Sequence, residues 1–324
     1  VPRIDYTGGG CPHILAEPMR TNLITYSEDF SQSFWNQTTA TVTVTTNTNP
    51  SGTSGTYSVE NVGSGSQLGA SFSITSGNDY TASWYVRNIS GTGAIIIKDT
   101  NNLTNNFTAT SEWQRFSVTA NASSGTGRCY MQVASGDKVE VWAAQFEEGS
   151  YATSYIPNFG TALGVTRNQD IFTRDGIGSL INSTEGVLFL EIAALSDDGT
   201  NRYLSINDGT TSNYIYFRFV STSNTVLMRT VVAGVTINTL QTAITDTTDF
   251  NKFAFKWKSG DYAFWINGVE SLVDASATIF GADVLNTIEF SFPTSGGGGF
   301  PSKVKQLQVY TTALTDDQIR QITQ

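Results

Sequence analysis

The sequence predicts an all-β chain: two tandem β-sandwiches, with one short C-terminal helix. Three observations predict it. Charged residues are only 14% of the 324, while hydrophobics reach 39% and aromatics 12%. That charge is well below the usual quarter, and Ser, Thr, Asn and Gly fill the gap, as in strands joined by polar turns. Short alternating runs separated by turn formers recur through both halves. Only the last ten residues carry a helical signature.

In the first half, strand patterns read at Ala40–Thr46, Thr56–Val62, Gly69–Ile74, Asp79–Asn88, Ala94–Lys98, Trp113–Ala120, Gly127–Ala134 and Lys138–Glu147. Residues 1–35 read as an irregular lead-in, because Gly8-Gly9-Gly10 and two prolines interrupt any regular element. Residues 36–158 then form the first domain, and 159–184, opening on the turn formers after Pro157, a linker. The second domain spans 185–324. Its strands read at Gly186–Leu195, Arg202–Asn207, Asn213–Val220, Thr225–Ala233, Asn251–Ser259, Asp261–Ile266, Thr287–Ser291 and Val304–Tyr310. Asn267-Gly268 is a type I′ hairpin signal. Thr315 and Gln318 predict a capping box, and Ile319 and Ile322 give the helix an apolar pair.

The net charge of −10, with no Lys/Arg cluster, argues against nucleic acid and anionic membrane surfaces as partners. Apolar runs are too short for a membrane-spanning helix. The opening Val1 predicts a processed chain or a fragment. Cys11 and Cys129 are too few for a disulfide framework and read as two separate buried thiols, with pairing left open. Asn-x-Ser/Thr triplets at Asn36, Asn88, Asn102, Asn106, Asn121 and Asn182 read as chance in a Thr- and Asn-rich chain.

Two stretches in each half carry a resemblance. Trp142-Ala-Ala-Gln-Phe-Glu-Glu-Gly149 through Tyr151, Tyr155 and Pro157, with the lead-in Glu17-Pro-Met-Arg-Thr-Asn-Leu-Ile-Thr-Tyr-Ser-Glu-Asp-Phe30, resembles jelly-roll carbohydrate-binding-like domains of bacteriophage tail proteins. Phe250–Gly268 and Val304–Ile319 resemble the closing strands and capped helix of concanavalin A-like, laminin-G-type sandwiches. The fold so implied is a jelly roll followed by a concanavalin A-like domain. That second fold hosts lectins, adhesion modules and hydrolases alike, so it speaks weakly to function.

Catalytic constellations are sparse. Glu185 with Glu191, Asp197 with Asp198, and Glu147 with Glu148 are the nearest acid pairs, and none reads as a facing pair. The single His13 reads as lying outside the second sandwich, which leaves no Ser-His-Asp or lyase arrangement. Gly296–Gly299 lacks the Lys and helix of a phosphate loop. Asp197, Asp198 and Asp208 are weak Ca²⁺ candidates, since Asx-Gly sequences are ordinarily turns.

Sugar recognition needs aromatic faces and hydroxyl-bonding side chains. Alternation sets Tyr85 and Arg87 opposite Ala82, Trp84 and Val86; it sets Tyr130 and Gln132 opposite Cys129, Met131 and Val133, and Trp142 opposite Val141 and Ala143. One candidate face is therefore Tyr85, Arg87, Tyr130, Gln132 and Trp142. A second is Tyr216, Arg218, Arg229 and Trp265. The competing reading is that these aromatics pack under loops or against other protein.

The resemblance implies a non-catalytic virion appendage, tail fibre-like and trimeric, presenting glycan-recognition sandwiches to a bacterial surface polysaccharide. Virion or extracellular localisation, other virion proteins as partners, and no cofactor except a possible Ca²⁺ follow from it. Two alternatives stand beside it: a structural virion or filament component that binds no sugar, and a carbohydrate-binding module of a larger bacterial enzyme or adhesin.

Overall fold

A computed structural model describes residues 3–6, 12–63, 67–293 and 299–324. Cys11, Gly8–Gly10 and most of the Gly296–Gly299 run lie outside them. The chain divides into two compact units, Met19–Asn168 and a second built from Val1–Pro18 with Gln169–Gln324.

The Met19–Asn168 unit is a sandwich of two five-stranded antiparallel sheets. Sheet 1 runs, in spatial order, Thr104–Thr108, Ala94–Lys98, Thr126–Val133, Gln67–Ser73, Asn36–Thr38. Sheet 2 runs Gln114–Asn121, Asp79–Ser90, Lys138–Glu148, Ser54–Asn61, Ala40–Thr48. Alternation puts Leu68, Ile95, Ile97, Cys129, Met131 and Val133 of sheet 1 against Val59, Ala82, Trp84, Val86, Val139, Val141 and Phe146 of sheet 2. Cys129 is a fully buried thiol in this core, and burial raises its pKa far above the ordinary thiol value.

The expected irregular lead-in is corrected here. Phe30 stacks on Trp84 at 5.7 Å and meets Trp35 at 4.9 Å, so the segment supplies core. Arg20–Asn22 pairs with Val165–Arg167 as a two-stranded ribbon. Thr104–Thr108 is a strand the composition conceals, because its TNNFT sequence has one apolar residue and sits at the sheet edge.

The other unit packs a seven-stranded sheet 3 against a six-stranded sheet 4. Sheet 3 runs Arg3–Asp5, His13–Ala16, Ser302–Tyr310, Glu185–Ala194, Asn251–Lys258, Tyr262–Ile266, Val269–Asp274. Sheet 4 runs Thr173–Arg174, Thr287–Glu289, Arg202–Asn207, Tyr214–Phe219, Thr225–Val232, Val235–Ala243. Leu188, Leu190, Phe253, Phe255, Trp257 and Phe264 meet Leu204, Ile215, Phe217, Val226 and Met228 between them. Asn267 and Gly268, at φ 48° and 81°, make the expected two-residue turn between Ile266 and Val269. A second such hairpin turns at Ala233-Gly234. Its Ala-Gly sequence gives no Asn-Gly signal, and the edge strand after it mixes polar and apolar residues without strict alternation.

The predicted helix is present as α1, Asp316–Thr323, with the Thr315–Gln318 capping box formed in both directions. Ile319 seats it on the outer face of sheet 3.

His13 also moves relative to expectation. It belongs to a strand of sheet 3, where it is buried, 3.3 Å from Asp5 and edge-on to Phe250 at 5.2 Å. Burial, helped by Lys303 and Lys305, lowers its pKa against the opposing pull of Asp5.

Candidate functional site

Neither candidate face forms as a single surface. Tyr85, Arg87 and Trp142 point outward from sheet 2, whereas Tyr130 and Gln132 point outward from sheet 1. A shared strand parity says which side chains oppose the core, not which of two sheets they stand on. Likewise Tyr216, Arg218 and Arg229 point outward from sheet 4, while Trp265 stands on sheet 3 beneath α1, 2% exposed.

The outer face of sheet 2 is occupied by its own side chains. Trp142 is buried, with Tyr155 at 5.1 Å and Tyr85 at 5.4 Å between ring centroids. The covering residue comes from the irregular stretch after the last strand, which the alternation pattern does not report. Beside it, the Glu140 carboxylate is fully buried. Its Oε1 accepts from Thr45, Asn47 and Thr56, each at 2.6–2.8 Å, and its Oε2 accepts from Arg87 Nε at 2.6 Å. Burial pushes this carboxyl up, but those four bonds outweigh it and hold it below the ordinary carboxylate range. Arg87 is further fixed over the Trp113 ring at 5.0 Å. Glu147, also fully buried, accepts from Gln145 and from both the backbone and side chain of Thr153. Such saturated carboxylates make a rigid polar layer.

Sheet 1 presents the opposite character. None of its five strands contains an acidic residue, in a chain of net charge −10. Tyr130 fills the space a side chain at Gly69 would take: a Cβ there would lie 2.3 Å from Tyr130 Cδ1. The ring therefore packs over the sheet backbone, with its hydroxyl 3.1 Å from Ser71. Register sets Lys98 directly across from Tyr130 and, in the adjacent row, Asn106, Ile96, Gln132 and Gln67 side by side. A groove of about 520 Å³ opens at Ile96, Asn106 and Gln132, continuing to Ala134 and Asn61. Sequence reasoning missed Gln67, Ile96, Lys98 and Asn106; their signal was the absence of acids across these strands.

The weak cation candidates are engaged separately. Asp197 accepts from Ser223 and Asn224, Asp198 from Arg202 and Thr200, and Asp208 from Thr210 and Asn213. Asp198 and Asp208 are raised by burial but lowered more by these bonds. Among the described residues, no group of three or more His, Cys, Asp or Glu could hold a metal ion. Glu185 and Glu191 pair with Lys258 and Lys305. Six residues apart on one strand, they stand about 20 Å from each other, too far for paired acid chemistry.

No family model matches the sequence, and no curated protein matches it either. Solved structures similar in part include a carbohydrate-binding domain, CBM40, of a Ruminococcus gnavus IT-sialidase bound to α2,3-sialyllactose. It is 16% identical over 47% of this chain and 98% of that one, with a TM-score of 0.37. A SAP-like pentraxin from Limulus polyphemus is 15% identical over 45% and 72%, at 0.37. The Caenorhabditis elegans galectin LEC-6 is 16% identical over 44% and 91%, at 0.31. Similarity at this level carries no argument about what this chain binds.

Proposed function

We propose that the Met19–Asn168 unit is a non-catalytic carbohydrate-binding module that holds its glycan on the outer face of sheet 1. The observation that carries this reading is Tyr130 laid over Gly69, an aromatic platform with Gln132 in the next row and Lys98 across from it. A sugar's C–H face stacks on such a ring, while amide side chains such as Gln132, Gln67 and Asn106 bond its hydroxyls. The groove beside the platform gives the ligand a walled end. The saturated carboxylates on sheet 2 support the absence of acid–base catalysis on that face.

The setting that best suits this reading is a module of a larger extracellular carbohydrate-active or adhesive protein, directed at a bacterial polysaccharide. The virion-appendage setting, a trimer and virion partners rest on the sequence resemblance alone. Affinity electrophoresis through gels containing bacterial polysaccharides tests the module. Retardation by at least one polysaccharide is expected, with loss in Tyr130→Ala. Migration unaffected by every polysaccharide offered would refute it.

A further inference from the structure

We propose that the outer face of sheet 4 is a second, independent site, which takes the carboxylate or sulfate of an acidic saccharide between Arg218 and Arg229. Tyr216 lies opposite Arg229 across the strand pair, and Arg218 is two residues further along. The two arginines are thus diagonal neighbours, about 7–8 Å apart at Cα. Both guanidinium groups converge on one ring, with Cζ at 5.7 Å (Arg229) and 6.0 Å (Arg218) from the Tyr216 centroid.

Two like charges so placed repel, and ordinarily a carboxylate lies between them. Here none does among the described residues. The acid in the same row, Glu289, is three strands from Arg229, about 14 Å, and its oxygens accept from Asn207 at 2.8 Å and Ser291 at 3.0 Å. Arg218 gives Nη1 to the Tyr203 hydroxyl at 3.2 Å, and its buried Nε has no acceptor. That leaves Nη2 as the donor Arg218 can turn to a carboxylate or sulfate. Arg229 spends only Nε, on Thr239 at 3.0 Å.

The surroundings favour a sugar as the carrier of the anion. Half-buried Tyr203 and Phe292 lie at the surface over the buried rings of Tyr214 and Tyr216, bordered by the hydroxyls of Tyr203 and Thr239. The chain's overall charge of −10 repels extended polyanions at long range, so affinity must come from short-range contacts such as these.

The test uses the full chain with trigalacturonate, dextran sulfate and neutral dextran, by calorimetric titration and thermal melting. Trigalacturonate or dextran sulfate should bind and raise the melting temperature, and dextran should not. Arg218→Gln with Arg229→Gln should weaken binding about tenfold or more, without lowering the melting temperature of the free protein. Arg218→Lys, which keeps the charge and loses the planar guanidinium, should weaken it by a smaller factor. Tyr130→Ala with Gln132→Ala should leave it unchanged, which separates this site from that on sheet 1. Absence of binding by both anions, or equal binding by the double Gln variant, would overturn the inference while leaving the sheet 1 reading intact.

Discussion

Arg87 and Glu140 face each other across neighbouring strands of sheet 2, guanidinium Nε 2.6 Å from carboxylate Oε2, with the acid fully buried and the base a quarter exposed. The pair closes the polar layer on the face that sequence parity had offered to a ligand. Removing the base leaves a buried carboxylate with only neutral donors. Arg87→Ala is therefore expected to destabilise the protein by about 2–4 kcal/mol, read by denaturant unfolding. Glu140→Gln, which gives up the charge but keeps an acceptor, should cost less.

Acid should unfold this unit through carboxylates of the same kind. Burial raises the Asp29 carboxyl, but bonds from Ser31, Gln32 and Tyr57 outweigh it and bring its pKa to about 2. A carboxylate depressed in the folded state contributes stability above its unfolded pKa, near 3.8, and loses it as pH falls towards 2. Melting temperatures taken from pH 6 to pH 2 should decline most steeply below 4. Asp29→Asn should flatten that decline.

The Tyr130 platform depends on the missing side chain beneath it. A Cβ at Gly69 would meet the Tyr130 ring at 2.3–2.5 Å and the Cys129 carbonyl oxygen at 2.6 Å. Gly69→Ala is expected to cost about 1–3 kcal/mol in thermal or chemical unfolding. Combining it with Tyr130→Ala should recover only part of that loss, because the backbone contact with Cys129 remains.

The helix cap offers a local test of the other unit. Thr315 Oγ1 accepts from the Gln318 backbone N–H at 3.3 Å, and Gln318 Oε1 accepts from the Thr315 backbone N–H at 2.9 Å. Thr315→Ala should lower stability by about 1 kcal/mol. Indole fluorescence of Trp265, which Ile319 of the same helix helps to bury, should shift to the red if the helix frays.

Strand parity was legible except at the bulge between Trp142 and Gln145, past which Ala144 and Phe146 rather than Ala143 take the core side. Trp84 and Val86, and Cys129 and Met131, lie on the core side that alternation assigned. Partnership between sheets was not, since Tyr85 and Tyr130 obey the same rule from opposite walls of one sandwich. Coverage was not legible either. Trp142, Tyr216 and Trp265 point away from the cores yet are buried, by Tyr155, Phe292 and α1 respectively, all outside the strands they cover. The edge strands Val235–Ala243 and Val269–Asp274 went unread because each mixes polar and apolar residues without strict alternation.

A glycan array probed with the intact chain, with Tyr130→Ala and with Arg87→Lys tests the central claim most directly. The account predicts saturable binding to a defined glycan that Tyr130→Ala loses by about tenfold or more and Arg87→Lys retains. Binding that survives Tyr130→Ala and vanishes in a folded Arg87→Lys variant would contradict it and return the site to sheet 2.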